Sequence, residues 1–262
     1  MSDFDRNAAA AFGRPLTRAE AAVVDEGLRA YMLRIYNYMV LGLAITGVAA
    51  LGIYMLSVTS DPSLAVAKVR NVMLTQVGYA LFVSPVKWVV ILAPLALVFF
   101  LSFRIQTMRP AAAQLTFWIY AALVGVSLSA IFLIYTHTSI VRVFFITAAS
   151  FGALSLWGYT TNRDLTGMGS FLIMGLFGII IASLVNAFLG STMMQFVISV
   201  VGVLVFAGLT AYDTQRLKSE YIYGAMDGDV MERSAIMGAL SLYLDFLNLF
   251  TMLLQLLGSR DE

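Results

Sequence analysis

Residues 235–257 read AIMGALSLYLDFLNLFTMLLQLL. This run has no Lys, Arg or Pro. At about 1.5 Å per helical residue it is long enough to cross the roughly 30 Å of hydrocarbon in a bilayer. A soluble domain has no use for an apolar helix of that length. Yet one residue in it, Asp245, is an acid too short to reach the membrane surface. The run therefore predicts both the class of the fold and the place to look for function.

Six further stretches have the same character, at about 35–58, 88–106, 115–136, 141–160, 169–190 and 193–212. Polar punctuation separates them: Asp61-Pro62-Ser63, Arg109-Pro110, His137-Thr138-Ser139, Asn162-Arg163-Asp164 and Gly190-Ser191-Thr192. The chain of 262 residues is 60% hydrophobic and only 12% charged, with a mean hydropathy of +0.87. An ordinary soluble domain carries about 25% charged residues. These values exclude a soluble enzyme, a nucleic-acid binder and a disordered regulator. Strands of a transmembrane barrel would alternate apolar and polar residues, and here the apolar runs are continuous. The expected fold is an all-α polytopic membrane protein with seven transmembrane helices.

The net charge of +1 gives no footing for a polyanionic partner such as nucleic acid. With no Cys, disulfides, thiol catalysis and thiolate metal sites are excluded. The start of the chain has no early apolar stretch, so no cleavable signal peptide is expected. Eleven of the sixteen Lys and Arg fall in the N-terminal segment and the even-numbered loops. The positive-inside rule then puts the N-terminus in the cytoplasm and the C-terminus outside. Residues 1–30 are expected to form a cytoplasmic arm, partly disordered. Residues 31–258 form the transmembrane domain, and 259–262 a short tail. Thr17-Arg18-Ala19-Glu20 has capping-box spacing, so a helix is expected to start there and run toward the first span. Pro94 within the second span removes a backbone hydrogen bond. Gly125, Ser127, Ser129, Gly175, Gly178 and Ser183 let helices approach closely where lipid offers no hydrophobic drive.

An ionisable residue inside a span is expensive and marks a functional hypothesis. Asp245 lies about ten residues into span seven, near mid-membrane. Ser241, Asp245, Asn248 and Gln255 share one helical face, which should turn inward and place span seven centrally. Asp213 lies at the end of span six, with Arg216 three residues on as one available partner. A charged loop from Arg216 to Arg233 turns the chain back, so spans six and seven are antiparallel neighbours and the two acids can meet. Arg104 closes span two on the same expected side, as a membrane anchor or as a counter-ion to the acids. His137 sits at a helix end and is assigned no chemistry.

Two carboxylates in contact do not both ionise cheaply, and they titrate as one unit. With nearby carbonyls and water they also suit a hard cation such as Ca²⁺. Six to eight oxygens make a tight Ca²⁺ site. Asp213 and Asp245, helped by Ser241 and Asn248, fall short of that, which fits a transient site for a permeant ion. An intramembrane aspartyl protease would also use two acids on adjacent spans. Tyr212-Asp213 fits that pattern, but Leu242-Tyr243-Leu244-Asp245 stands where Gly-x-Gly-Asp belongs and no Pro-Ala-Leu follows. No enzymatic activity is expected.

Ala211-Tyr212-Asp213-Thr214-Gln215 and Ala239-Leu240-Ser241-Leu242-Tyr243-Leu244-Asp245-Phe246-Leu247-Asn248-Leu249-Phe250 resemble the paired signatures of the Bax inhibitor-1 family. That family includes the Lifeguard proteins and the bacterial YccA-like proteins. Arg104 and the Ser127-Leu128-Ser129 core within Tyr120 to Tyr135 extend the likeness, which covers about residues 30–258. The resemblance implies seven helices with the seventh central. It also implies a pH-sensitive Ca²⁺ leak or Ca²⁺/H⁺ exchange, with Asp213 and Asp245 as sensor and ion pathway and Arg104 as latch. No tightly bound cofactor is implied; Ca²⁺ and H⁺ are cargo. Some bacterial members of the family resemble modulators of a membrane-bound ATP-dependent protease, the alternative role. The expected location is a bacterial inner membrane.

Overall fold

The computed structural model describes residues 18–224 and 228–260. Seven long helices carry the chain: α1 (Arg18–Ser57), α2 (Val86–Arg104), α3 (Pro110–Leu128), α4 (His137–Thr160), α5 (Thr166–Leu189), α6 (Thr192–Gly224) and α7 (Gly228–Leu257). Each is long and apolar enough to cross a membrane. Many large apolar side chains face outward, among them Phe188, Phe103 and Val48. Such a surface is tolerable only where lipid covers it. The all-α membrane fold expected from the sequence is the fold observed.

The ends of the helices differ from the sequence reading in two instructive places. The expected charged loop from Arg216 to Arg233 is largely helical. α6 runs on to Gly224 and α7 is already helical at Gly228. Beyond the apolar stretch the helix is held by charge pairs along its own face. Arg216 meets Asp213 at i,i+3 and Glu220 at i,i+4, the spacing at which helical side chains touch. Asp213 therefore lies well inside α6. α1 is already helical at Arg18, the first described residue, so the helical part of the expected arm continues into the first span; Thr17 and the rest of that arm, residues 1–17, lie outside the described residues. At 40 residues α1 is about 60 Å long, twice the hydrocarbon thickness.

The chain divides into two units, with α1 contributing to both. The first comprises residues up to Asn37 together with Val141–Gly258. Small residues set its packing. The α-carbon face of Gly158 in α4 lies against the backbone of α6, so that a Cβ there would meet the Ala211 carbonyl oxygen at 2.2 Å. Gly169 in α5 lies under the Tyr212 ring in the same way. These approaches bring α4 and α5 onto α6, and α6 lies along α7. Phe246 of α7 meets Phe144 and Phe151 of α4 edge-on, at 5.6 and 5.5 Å between ring centres. α7 carries a long set of buried residues, from Ala235 to Leu254.

The second unit comprises Tyr38–Ile140 and the chain end from Ser259. Its connection after α1 is more ordered than a plain loop. Three short antiparallel strands, β1 (Val58–Thr59), β2 (Ala67–Val69) and β3 (Val72–Leu74), form a sheet with β3 in the middle. Hydropathy gives no sign of strands this short. A helical turn at Gln76–Gly78 and a wider π turn at Tyr79–Val83 lead into α2. α2 stays helical through the buried Pro94. α3 is fixed to α1 where the Thr46 hydroxyl donates to the Ala121 carbonyl at 2.9 Å. The tail expected at 259–262 is tied down at its start. Thr136 N–H donates to the Ser259 carbonyl at 3.0 Å, and Ser259 N–H to the Ser139 hydroxyl at 2.9 Å.

Candidate functional site: an acid pair between two helices

α6 and α7 bring two acids out of reach of solvent. Asp213 is 6% exposed and Asp245 5%. Neither helix could place them so without neighbours: Leu209, Leu242, Phe246 and Leu249 around them are buried as well. The Ser241 hydroxyl, one turn before Asp245, donates to Asp213 Oδ2 at 2.6 Å. The Arg216 guanidinium meets Asp213 Oδ1 at 3.2 Å and Ser241 Oγ at 3.4 Å. Both oxygens of Asp213 are thus engaged.

Asp245 is less completely engaged. Its Oδ2 is buried and has no hydrogen-bond partner. The charges that bear on it are those of Asp213 and Arg216. A side-chain hydrogen bond joins Asp245 to Asp213, yet an ionised carboxyl buried beside another acid still costs several kcal/mol relative to water. The arrangement can lower that cost by holding a proton on the pair or by admitting a cation. Among the described residues no group of three or more His, Cys, Asp or Glu gathers to hold a metal ion. Asp213, Asp245 and Ser241 offer fewer oxygens than a tight Ca²⁺ site requires.

The other residues singled out in the sequence take separate places. Ser241 joins the acids, as its helical face predicts. Asn248 does not bond to them: its amide donates to its own helix at the Leu244 carbonyl, 2.8 Å away. Gln255, on the same face, forms a polar cluster with Gln195 and Ser199 of α6, at 2.5 and 2.7 Å. Arg104 is the last residue of α2, exposed, in the second unit. In the first unit the cation on Asp213 is Arg216, which the sequence offers as a partner three residues on.

Glu220 escaped the sequence reading. It meets Arg216 Nε at 3.3 Å from the far side, so that Arg216 lies between two acids. Its i,i+4 spacing from Arg216 is present in the sequence, but it falls in the stretch from Arg216 to Arg233 whose charge reads as a loop. A line of hydroxyls was also missed. Tyr36 O–H lies 2.5 Å from Ser155 Oγ, which lies 2.9 Å from Thr214 Oγ1, directly after Asp213.

Comparison with known proteins identifies the family. The family described as "Inhibitor of apoptosis-promoting Bax1" matches residues 28–262. A protein of Rickettsia prowazekii is 47% identical over 94% of this chain and 96% of its own length. One of Caulobacter vibrioides is 43% identical over the whole of both chains. The inner membrane protein YbhL of Escherichia coli K12 is 44% identical over 89% of this chain and 93% of its own. The chain belongs to the Bax inhibitor-1 family.

Proposed function

We propose that this protein is a pH-responsive Ca²⁺ leak, or a Ca²⁺/H⁺ exchanger, in which Asp213 and Asp245 act as one proton-binding unit. The observation that carries the reading is the pair itself: two buried acids, one fully engaged and the other with a bare oxygen. Protons and Ca²⁺ then compete for the same carboxyl oxygens. With the proton in place the pair is closed and nearly charge-balanced by Arg216. When the proton leaves, two anions face one cation, and the imbalance is relieved by parting the helices or admitting Ca²⁺. An incomplete oxygen set suits an ion that must leave again.

The membership of the family and the all-helical membrane fold suggest a channel or transporter rather than an enzyme. In this reading no resident cofactor takes part. Arg104 acts as a second cation of the gate, by its place in the family motif. The N-terminus lies on the cytoplasmic side of an inner membrane.

The reading is tested by Ca²⁺ entry into proteoliposomes holding the purified protein at pH 6, 7 and 8. It predicts flux above that of empty liposomes, varying with pH. Wild-type protein that is folded yet passes no Ca²⁺ at any of the three would overturn it. A role in modulating a membrane-bound ATP-dependent protease through the N-terminal arm would then be the working reading.

A further inference from the structure

The second unit holds a cavity of about 260 Å³ at the end of the unit away from Arg104. Apolar side chains of α2 and α3, such as Val90, Ile91 and Val126, wall it. Two cations, Arg70 and Lys87, line it as well. A hollow on a lipid-facing helix pair needs no explanation by itself. The two cations do, because each sits where local structure disfavours it.

Arg70 is the first residue of the two-residue turn between β2 and β3, with φ at +52°. It is a left-handed position that a hairpin of this kind normally gives to Gly, Asn or Asp. No other described residue besides Gly takes a positive φ. Lys87 is the second residue of α2. The dipole at a helix N-terminus repels a cation there. An anion in the cavity would relieve the second conflict and lie beside the first cation as well. The walls specify the rest of the ligand. A free anion has no use for an apolar hollow at the end of two membrane-spanning helices, whereas a lipid phosphate and the first methylenes of its chain use both halves.

We propose that this cavity binds an anionic phospholipid, with its phosphate between Arg70 and Lys87 and the start of an acyl chain along Val90, Ile91 and Val126. The site is independent of the acid pair and stands whether or not the protein conducts Ca²⁺.

Trp88 follows Lys87, is exposed, and lies 5.7 Å from its ammonium group. It serves as the reporter once Trp118 and Trp157 are replaced by Phe. The full chain is reconstituted in phosphatidylcholine vesicles carrying a small, equal fraction of bromine-labelled phosphatidylglycerol or bromine-labelled phosphatidylcholine. The site predicts quenching of Trp88 by the anionic lipid at concentrations about thirtyfold below those of the zwitterionic one, the scale set by two cations near a headgroup. Arg70→Gly with Lys87→Gln should abolish the preference. Glycine is at ease at the turn, so the variant keeps its fold. Equal quenching by the two lipids in wild type, or a preference that survives the double variant, overturns the proposal. So does loss of the preference on adding inorganic phosphate in modest excess, which would mark a free-anion site.

Discussion

The two units handle charge in opposite ways. In the first, acids are buried in the middle of helices and a half-exposed cation, Arg216, comes to them. In the second, cations stand at the end of the helices around an apolar hollow. The difference teaches what depth does to a charged group. A buried carboxyl with an unpartnered oxygen responds to protons and ions, because desolvation makes each protonation state matter. A cation at the membrane boundary keeps its hydration and acts as a steady attraction for headgroups. The same residue classes thus make a switch in one place and an anchor in the other.

The tightness of the first unit is the easiest part of this contrast to break. Gly158→Ala puts a methyl group 2.2 Å from a backbone oxygen that cannot rotate away. It should cost about 3 kcal/mol or more, read as a large fall in the thermal midpoint in detergent. Gly47→Ala in the second unit meets nothing within 4 Å. That change should leave the midpoint equal or raise it by up to about 1 kcal/mol of helix propensity. Equal losses at both positions would deny that close backbone approach distinguishes the α4–α6 contact from open helix surface.

The counter-charge is next in size. Arg216→Gln should raise Ca²⁺ flux at pH 7 severalfold by freeing Asp213. Its stability cost should exceed that of a surface pair, on the order of 2 kcal/mol, since the half-exposed Arg216 leaves the buried Asp213 without its cation. Arg104→Gln is the companion variant in the second unit. If it raises the flux and Arg216→Gln does not, Arg104 is the latch and the contrast drawn above loses its cation.

The smallest effect compares two exposed carboxylates, one in each unit. Hydrogen bonds from Thr166 hold Asp164 below the usual carboxylate range. The Ser63 N–H, then its hydroxyl, does the same for Asp61. A lowered pKa in the folded state adds stability above the unfolded value that is lost as pH falls through the folded one. Asp61→Asn and Asp164→Asn should therefore flatten only the acid limb of stability, below about pH 4. An effect that persists unchanged at pH 7 and at pH 3 would show a packing role instead.

Much of this was legible in the sequence because a bilayer imposes simple rules. Seven continuous apolar runs gave the helices, and the isolated acid in residues 235–257 gave the site. Ser241 was placed by its spacing from Asp245. What the sequence hid has physical causes. Hydropathy ends where charge begins, so the helical continuation of α6 past Arg216, stabilised by charge pairs, read as loop. With it went Glu220. Strands of two or three residues leave no periodic trace, so the hairpin that presents Arg70 was invisible. Asn248 shares the face of Asp245, but a face does not choose a partner, and its amide turned to its own helix.

The central claim is that Asp213 and Asp245 titrate as one unit that governs passage of Ca²⁺. Its most direct test is Ca²⁺ flux against pH for wild type, Asp213→Asn, Asp245→Asn and the double variant, each checked for folding. The account predicts that either single change removes the pH dependence and that the double variant adds nothing further. A pH response that survives in Asp245→Asn, or that the two changes diminish independently, would contradict it.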